Sequence, residues 1–312
     1  MTHPPVAPVP ELRVPLGGRE PRGVAVVVRG HKLLVMGRVL DGYAYAVLPG
    51  GGIEPGESAE EAAVRELAEE CTLTGTAVRL LFEGRHGGRE ASYVLVDAPE
   101  GEPVLGGPEA AAQSPSDHYQ PMWVTAPELP LLPLLPEGLA DLVVEAVWPL
   151  RAAVAGPDQW PVVEQLWQLY QHDLSEFRHS APGRDGRFAP ARLTSYADGE
   201  RGDRVTYLAW LGEVPCGFAM VRGVAGGARV MGEFFVTRSA RGRGTAASFA
   251  GDVLRRHPGR WEIPFQEENP RAAAFWRRIA GDLLVDVAEQ PLEVPGKPHL
   301  PPDVWLSGNL PS

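Results

Sequence analysis

The sequence predicts an α/β (α+β) protein of two domains, each a mixed sheet with flanking helices. The chain of 312 residues is too long for one ordinary core and suits two domains of roughly 150 residues each. Apolar β-branched runs alternate with helix-forming segments in both halves. Residues 1–150 carry 21 acidic and 10 basic side chains, whereas residues 151–312 carry 19 of each. We therefore expect a flexible tail over 1–18, a first domain over 19–150 and a second over 151–312.

Composition limits the class of protein. The hydrophobic fraction is 44%, which is typical of a globular chain, and no run of about eighteen apolar residues is present to cross a membrane. The N-terminus lacks the pattern of a signal peptide, so we expect a cytoplasmic protein. Cys71 and Cys216 fall in different halves without metal-ligand spacing, which favours two buried thiols.

Elements of the first half follow from its turn and capping residues. A turn over 29–32 separates two apolar runs and predicts a hairpin. The Pro-Gly-Gly-Gly segment at 49–52 predicts an irregular loop. Ser58, with Glu61 three residues later, forms a capping box and predicts a helix that starts there. The expected elements are strands over 24–28, 33–39, 78–83, 91–97 and 119–125, helices over 58–71 and 137–147, and a flexible stretch over 106–117.

The second half is expected after a boundary near 152–157, where small residues and a proline interrupt the pattern. An amphipathic run predicts its first helix. Antiparallel strands, a glycine loop, a helix, a strand and a last helix follow. The expected helices cover 161–172, 190–197, 245–256 and 270–280, and the expected strands cover 205–211, 217–222, 230–236 and 261–266.

The strongest chemical signal is a set of carboxylates on one helix. Glu66, Glu69 and Glu70 stand at i, i+3 and i+4, so their side chains share one helical face. Three like charges there repel, and a divalent cation reverses the sign of that interaction. Magnesium prefers carboxylate oxygens and commonly bridges them to substrate phosphates. A solvated acidic face is the alternative that explains most such runs.

The surrounding residues decide between these alternatives. Gly51, then five residues to Glu57, then seven residues to the segment 65–71 resembles the Nudix box throughout. Pro121 to Val124 is similar to the closing strand of that family, so the resemblance spans about 20–148. It implies an α/β/α sandwich with a mixed sheet, and substrates in which a nucleoside diphosphate is linked to another group. The family usually has glycine at the position of Thr72, so we expect the helix to end differently, at Gly75.

The Nudix resemblance also implies roles for particular residues. Glu66, Glu69 and Glu70 are expected to bind Mg²⁺ or Mn²⁺, with Glu57 in support and Arg65 orienting a carboxylate. Gly51 is expected to shape the loop. Glu109 is a weaker candidate for a further ligand or base. The bound metal is expected to polarise a phosphoryl oxygen and to lower the pKa of an attacking water.

A glycine loop after a strand marks the second site. Such a loop and the following helix N-terminus present backbone N–H groups to a pyrophosphate, although a flexible basic turn is an equally good explanation of the loop alone. The segment consists of Arg241, Gly242, Arg243, Gly244, Thr245 and Ala246. It resembles the pyrophosphate-binding motif of GNAT N-acetyltransferases, and the segment 269–276 resembles the Asn-x-x-Ala helix that follows in that family. The resemblance spans about 155–290.

The GNAT resemblance implies an acetyl-CoA site between splayed strands. Backbone N–H groups near Phe235 and Val236 are expected to hold the acetyl carbonyl, and the glycine loop the pyrophosphate. Asn269 is expected to contact the pantetheine arm or to fix the helix, and Phe275 to lie beside the cofactor. Glu233 is the candidate base for the acceptor amine, with an outward-facing strand carboxylate as the alternative.

These sites together predict a bifunctional enzyme. One half is expected to hydrolyse a nucleotide-like pyrophosphate, and the other to acetylate a small-molecule amine. Alternatively, only the first half is catalytic and the second is an acyl-CoA-binding or sensing module. Neither nucleic acid nor a membrane is an expected partner, because the first half is acidic and the second carries no net charge and no basic stripe.

Overall fold

The computed structural model describes residues 20–190, 193–197, 202–241, 244–294 and 299–311. Contacts divide the chain into two compact units, Met1–Trp148 and Pro149–Ser312. The expected tail over 1–18 lies outside the described residues. In the described part of the chain no helix has both the length and the apolar character needed to cross a membrane. Cys71 and Cys216 are free, buried thiols, as expected from their spacing.

The first unit is a mixed sheet with helices on both faces. Its described elements are β1 (Arg22–Arg29), β2 (Lys32–Leu40), β3 (Tyr43–Val47), β4 (Gly50–Gly52), α1 (Ala59–Cys71), β5 (Thr76–His86), β6 (Arg89–Asp97), α2 (Gly107–Ala111), β7 (Asp117–Thr125) and α3 (Leu139–Val147). The strand order is β3-β2-β1-β6-β5, with β4 paired to β1 and β7 paired to β2. The β1–β6 pair is parallel and the other pairs are antiparallel. The predicted hairpin of β1 and β2 is confirmed, with Val28 opposite Leu33.

Helix α1 packs closely on β1 because its apolar face carries small residues where the strand approaches. Ala63, Leu67 and Cys71 lie in one buried cluster with side chains of β1, β2 and β6. A Cβ on Gly23 would stand only 2.6 Å from the carbonyl oxygen of Ala59. The opposite face of the sheet packs against α3 in a second cluster. The close approach holds the carboxylate face of α1 against the loop that follows β3.

Two expectations for the first unit are wrong. The glycines at 50–52 form the short strand β4, antiparallel to β1, rather than an irregular loop. Extended glycines pair with a neighbouring strand as other residues do, so the ladder overrides their weak β-propensity. The stretch 106–117 contains the helix α2, which starts beside α1 because the Gly106 N–H donates to the carbonyl of Glu70 at 3.0 Å.

The end of α1 also differs from the expectation. Thr72, not Gly75, ends the helix, in the left-handed conformation with φ 55° and ψ 29°. A β-branched residue is strained there. The Thr72 hydroxyl donates to the carbonyl of Val104 at 2.7 Å, and the Val104 N–H donates to the carbonyl of Cys71 at 3.0 Å. These two bonds tie the segment before α2 to the end of α1 and offset the strain.

We expect Thr72→Val to lower the free energy of unfolding by about 1 kcal/mol. Valine keeps the shape and the backbone strain of threonine but cannot donate to Val104. Thr72→Gly is the companion variant, because glycine relieves the strain while losing the same hydrogen bond. Chemical denaturation of both variants measures the difference. Equal stability of Thr72→Val and the unsubstituted protein would show that this hydrogen bond does not offset the strain.

The second unit is a seven-stranded sheet flanked by helices. Its described elements are β8 (Leu150–Val154), α4 (Trp160–Arg178), α5 (Leu193–Ala197), β9 (Arg204–Leu211), β10 (Val214–Arg222), β11 (Arg229–Val236), α6 (Thr245–Arg255), β12 (Gly259–Phe265), α7 (Pro270–Leu283), β13 (Val285–Leu292) and β14 (Asp303–Leu310). The strand order is β13-β14-β12-β11-β10-β9-β8. Pairing is antiparallel except between β11 and β12.

Three strands of the second unit were not expected. Strand β8 falls in the small-residue stretch that we interpreted as the boundary, and it pairs with β9 along its whole length. Every residue of β13 is exposed, so β13 has no apolar periodicity to detect. Strand β14 alternates in burial, but its apolar residues are interrupted by Ser307, Gly308 and Asn309. Only pairing with neighbours identifies these strands.

Strands β11 and β12 pair only at their start. The ladder joins Arg229 to Trp261 and Val230 to Glu262, and in the described chain it does not continue toward Val236. On its other side β11 stays paired to β10 as far as Val236, with an irregularity at Met220. The described ladder therefore leaves the last residues of β11 without a strand partner on the β12 side.

Candidate active sites

The first site is organised by Arg65 at the centre of α1. Its Nε donates to Glu57 Oε1 at 2.8 Å and its Nη2 to Glu57 Oε2 at 3.0 Å, so the pair is bidentate. The same guanidinium donates to Glu66 Oε1 at 2.7 Å and to the carbonyl of Gly52 at 2.9 Å. Arg65 thus holds the loop before the helix and one carboxylate of the helix in fixed positions. Hydrogen bonds from Arg65 lower the pKa of Glu57, which keeps that carboxyl ionised.

Glycine at position 51 is a steric requirement of this site. A Cβ there would lie 2.0 Å from Oε1 of Glu66, well inside van der Waals contact. Gly51 pairs with Gly23 across β4 and β1, so the loop cannot move away without breaking that ladder. The close approach places the backbone of β4 directly on the carboxylate of Glu66. The glycine that the sequence singled out therefore makes room for a carboxylate.

Two further carboxyl groups meet at the other end of the helix face. Glu70 accepts from the backbone N–H of Gly50 at 3.1 Å. Burial, with a contribution from the nearby Glu109, raises the pKa of Glu70 to about 8. Glu109 lies in α2, and its Oε2 is buried without a hydrogen-bond partner in the described structure. The structure thus brings Glu109 to the site from a segment that carried only a weak signal.

Glu66, Glu69 and Glu70 share the helix face as their spacing predicts, but they point to different partners. Glu69 is half exposed, and its carboxylate lies 3.7 Å from Nη1 of Arg65. Burial raises the pKa of Glu66 and the hydrogen bond from Arg65 lowers it. Within the described residues no three His, Cys, Asp or Glu side chains are grouped to hold a metal ion.

Sequence reasoning missed two arginines beside this site. Arg22 is the first residue of β1, and its Nη2 donates to the carbonyl of Gly50. Arg89 is the first residue of β6, and its Nε donates to the carbonyl of Glu20 at 2.7 Å. Isolated arginines at strand starts carry no periodic or motif signal. Only the pairing of β1 with both β4 and β6 brings them next to the glycines of β4.

His86, at the end of β5, is buried beside these arginines, with 9% of its surface exposed. Burial and the charges of Arg22 and Arg89 lower its pKa to about 4, below the unfolded value near 6.5. Between about pH 6.5 and pH 4 the imidazole is protonated in the unfolded chain but stays neutral in the folded chain, so the free energy of unfolding falls as the pH falls.

We expect the His86→Gln protein to lose less unfolding free energy between pH 7 and pH 4 than the unsubstituted protein, by at most about 3 kcal/mol, because glutamine does not titrate. Unfolding free energies of both proteins at pH 7 and pH 4 measure it, and identical pH dependence would contradict the prediction.

In the second unit the structure buries Glu233. Only 6% of this residue is exposed, so the alternative of an outward-facing carboxylate is not what the structure shows. Tyr170 of α4 donates its hydroxyl to Glu233 Oε2 at 2.5 Å. Phe218 and Phe235 pack against the ring of Tyr170, with centroids 5.5 and 5.9 Å away. The carboxylate therefore lies at the edge of an aromatic cluster. Tyr170 gave no signal in the sequence beyond an aromatic position on an amphipathic helix.

The segment after β11 is tied down by Asp173 of α4. Arg241 donates to the carbonyl of Val236 at 2.8 Å and to Asp173 Oδ2 at 2.6 Å. Arg238 donates to the other oxygen of Asp173 at 2.8 Å. Asp173 is thus paired with two guanidinium groups, which lower its pKa although burial opposes them.

Helix α6 begins at Thr245, as predicted, with Gly244 at φ 75° as the residue that caps it. Thr245 is buried and Ala246 packs against the core of the unit. Gly242 and Arg243, the remaining expected members of the pyrophosphate loop, lie outside the described residues. The described part of the loop leads into the N-terminus of the eleven-residue helix α6.

Asn269 and Phe275 have structural partners in α7. The Asn269 side chain caps the helix by accepting from the N–H of Ala272 at 3.1 Å. Of the two expected roles for Asn269, the structure therefore shows the one that fixes the helix. Phe275 stacks on Phe234 of β11 with ring centroids 5.7 Å apart, and Trp276 meets the same ring edge-on. These ring contacts hold α7 against the last residues of β11.

The first unit is similar to a known protein family. Residues 19–145 match the family model of the NUDIX domain. No curated protein matches the chain. The solved structure of the Escherichia coli ORF135 protein is 25% identical over 40% of this chain and 86% of that protein, with a TM-score of 0.31. The MutT NUDIX hydrolase from Burkholderia pseudomallei is 24% identical over 41% of this chain and 97% of its own, with a TM-score of 0.32.

An acetyltransferase from Thermus thermophilus is also similar, at 18% identity over 53% of this chain and 99% of its own, with a TM-score of 0.38. The match of the family model coincides with the unit in which α1 carries the Glu57, Arg65 and Glu66 network and Gly51 fits against a carboxylate. Residues 19–145 of this chain are therefore a NUDIX domain.

Proposed function

We propose that the NUDIX domain hydrolyses a diphosphate bond in a nucleoside-diphosphate-linked or related pyrophosphate metabolite, with Mg²⁺ or Mn²⁺. The observation that carries the proposal is the close packing of Gly51 against the carboxylate of Glu66. The space beside Gly51 is filled by that carboxylate, so no larger residue fits at position 51. The donor set suits a hard cation because it consists of carboxylate oxygens. Glu109 supplies a buried carboxylate oxygen without a hydrogen-bond partner in the described chain, which a cation or its water satisfies.

Each residue then has a role that follows from its contacts. Glu66, Glu69 and Glu70 hold the cation, which when bound polarises a phosphoryl oxygen and lowers the pKa of the attacking water. Arg65 fixes the carboxylate of Glu66, and Glu57 fixes Arg65 by its bidentate pair. Glu109 is the candidate to accept the proton of the attacking water.

The hydrolase proposal is tested by incubating the full chain with a panel of ADP-ribose, NADH and nucleoside triphosphates, with and without Mg²⁺. We expect hydrolysis of at least one compound to products cleaved at a phosphoanhydride bond, and no hydrolysis after the metal is chelated. Glu60→Gln, in the first turn of α1, is the matched control. A folded protein that cleaves no member of the panel with either metal contradicts the proposal.

We propose in addition that the second unit transfers an acetyl group from acetyl-CoA to a small-molecule amine. The short ladder between β11 and β12 supports this, because in the described chain Phe235 and Val236 have no strand partner on the β12 side. Glu233 is the candidate base that removes the proton from the acceptor amine, and Tyr170 holds its carboxylate in place. The alternative, an acyl-CoA-binding or sensing module without turnover, rests on the same short ladder.

Calorimetric titration of acetyl-CoA into the full chain tests the second unit. We expect stoichiometric binding that Gly244→Glu abolishes, because a carboxylate at the start of α6 repels the pyrophosphate. Gly244→Ala is the control. Alanine at position 244 must adopt the same φ of 75° as glutamate would, and its Cβ has no neighbour within 4 Å. Unlike glutamate, it adds no charge. Equal loss in both variants assigns the effect to backbone strain, and no binding by the unsubstituted protein overturns the proposal. Binding without acetylation of any amine in a screen favours the sensing module.

A further inference from the structure

One side of strand β4 in the NUDIX domain is lined by cationic side chains. Arg22 pairs with Gly52 on one side and with Ala91 on the other. Arg89, two residues before Ala91, shares the face of the sheet to which Arg22 belongs. The Nη2 atom of Arg89 lies 3.4 Å from the position of a Cβ on Gly52, and Arg22 donates to the carbonyl of Gly50. Both guanidinium groups therefore lie against β4.

Two buried donors on this face have no acceptor in the described structure. They are the Nε of Arg22 and the hydroxyl of Tyr93. Tyr93 is two residues after Ala91 on β6, so it shares the face, and it is close enough for the charge of Arg22 to act on the phenol. Buried donors in proteins nearly always have a partner. An acceptor brought by a ligand supplies one to both groups.

The charges around these donors favour an anion as that ligand. Burial lowers the pKa of Arg22, and the positive charge of the nearby Arg89 lowers it further because the two guanidinium groups repel each other. Burial and the same two arginines keep His86 neutral at pH 7. Glu66 and Glu70 act on Arg22 in the opposite sense, from the carboxylate side of the loop. An anion between the arginines removes their repulsion and accepts the free hydrogen bonds.

The position of the arginines relative to the carboxylates identifies the part of the substrate. Gly50 lies between the two groups, because its carbonyl accepts from Arg22 and its N–H donates to Glu70. Gly50 alone thus lies between the guanidinium group of Arg22 and the carboxyl group of Glu70. An anion on the arginines and a phosphate near Glu70 are within the reach of one short phosphate chain.

We propose that Arg22, Arg89 and the hydroxyl of Tyr93 form a subsite for a phosphate next to the scissile diphosphate. The domain then prefers substrates with three or more phosphates in a chain over those with two. The inference rests on the proposed hydrolase function and specifies its substrate class. The alternative role of the arginines, to compensate the charge of Glu66 and Glu70, gives no dependence on chain length.

Equilibrium titration of the full chain with inorganic tripolyphosphate and with pyrophosphate tests the subsite. Ca²⁺ replaces Mg²⁺ in both titrations, and phosphate release is monitored so that only intact probe is counted. We expect the unsubstituted protein to bind tripolyphosphate at least about tenfold more tightly than pyrophosphate. We expect Arg89→Gln to weaken tripolyphosphate binding about tenfold and pyrophosphate binding less than about twofold. Arg85→Gln is the matched control, because Arg85 lies in the same hairpin opposite Glu90, on the other face.

Three results would overturn the subsite: no preference for tripolyphosphate in the unsubstituted protein, an equal effect of Arg89→Gln on both probes, or an equal effect of Arg85→Gln and Arg89→Gln. The hydrolase proposal is judged separately, by magnesium-dependent cleavage of the substrate panel. Cleavage without a dependence on chain length removes only the subsite. Chain-length-dependent binding without cleavage of any compound removes only the hydrolase.

Discussion

Glu70→Gln is expected to lower metal-dependent hydrolysis by the NUDIX domain at least about 100-fold while leaving the fold at least as stable. Glutamine keeps the oxygen that accepts from the N–H of Gly50, so the loop contact survives. Burial raises the pKa of Glu70 to about 8, so without a bound cation this carboxyl is largely uncharged at neutral pH, and glutamine replaces it by another uncharged polar group. The new amide NH₂ also offers a donor to Glu109, whose Oε2 has no partner in the described chain.

Initial rates on the best compound of the panel and denaturation curves measure the two effects together. Glu60→Gln makes the same substitution in the first turn of the same helix, away from the proposed site, and is expected to keep full activity. If Glu70→Gln loses stability in proportion to its activity, Glu70 is a structural residue rather than a metal ligand. Retention of activity in a stable Glu70→Gln protein would remove this residue from the proposed site.

Gly51→Ala is the second substitution with a large expected effect. The added methyl would stand 2.0 Å from Glu66 Oε1, so either the strand β4 or the carboxylate must move. Movement of the carboxylate also breaks its contact with Arg65. We expect a loss of about 1–3 kcal/mol in unfolding free energy and of about 100-fold in hydrolysis, because a displacement near 1 Å is sufficient for such a loss.

The neighbouring Gly52→Ala provides the comparison. Its Cβ meets only the mobile end of Arg89, at 3.4 Å, and no carboxylate. Both substitutions reduce the freedom of the unfolded chain equally, so the difference between them isolates the contact with Glu66. We expect Gly52→Ala to lose much less activity and stability than Gly51→Ala. Equal losses would mean that the loop tolerates no Cβ at either position and that Glu66 is not the reason.

Much of the first site could be predicted because its residues are close in sequence. Glu66, Glu69 and Glu70 share a face by helix geometry alone, and Ser58 with Glu61 forms the capping box observed at the helix start. The spacing of Gly51 and Glu57 from this helix identified the family. The structure adds the bidentate pair of Arg65 and Glu57, which holds the loop to the helix.

The fold was predictable where a segment has its own periodicity or cap. Helix α7 starts at its predicted residue because Asn269 caps it. Strands β8 and β13 were missed because the first consists of small residues and the second is wholly exposed. Both are strands only because a neighbouring strand offers hydrogen bonds, which no local pattern reports.

The sequence by itself determined most of the helices and strands that have their own periodicity or cap, the NUDIX family of the first domain and the shared helix face of Glu66, Glu69 and Glu70. Local propensity, capping and spacing depend on residues that are close in the chain, so they can be recognised from the sequence without a structure. Only the tertiary structure showed that Arg22 and Arg89 lie beside strand β4 and that the hydroxyl of Tyr170 binds the carboxylate of Glu233. These contacts join residues far apart in the chain, and their positions depend on strand pairing and helix packing.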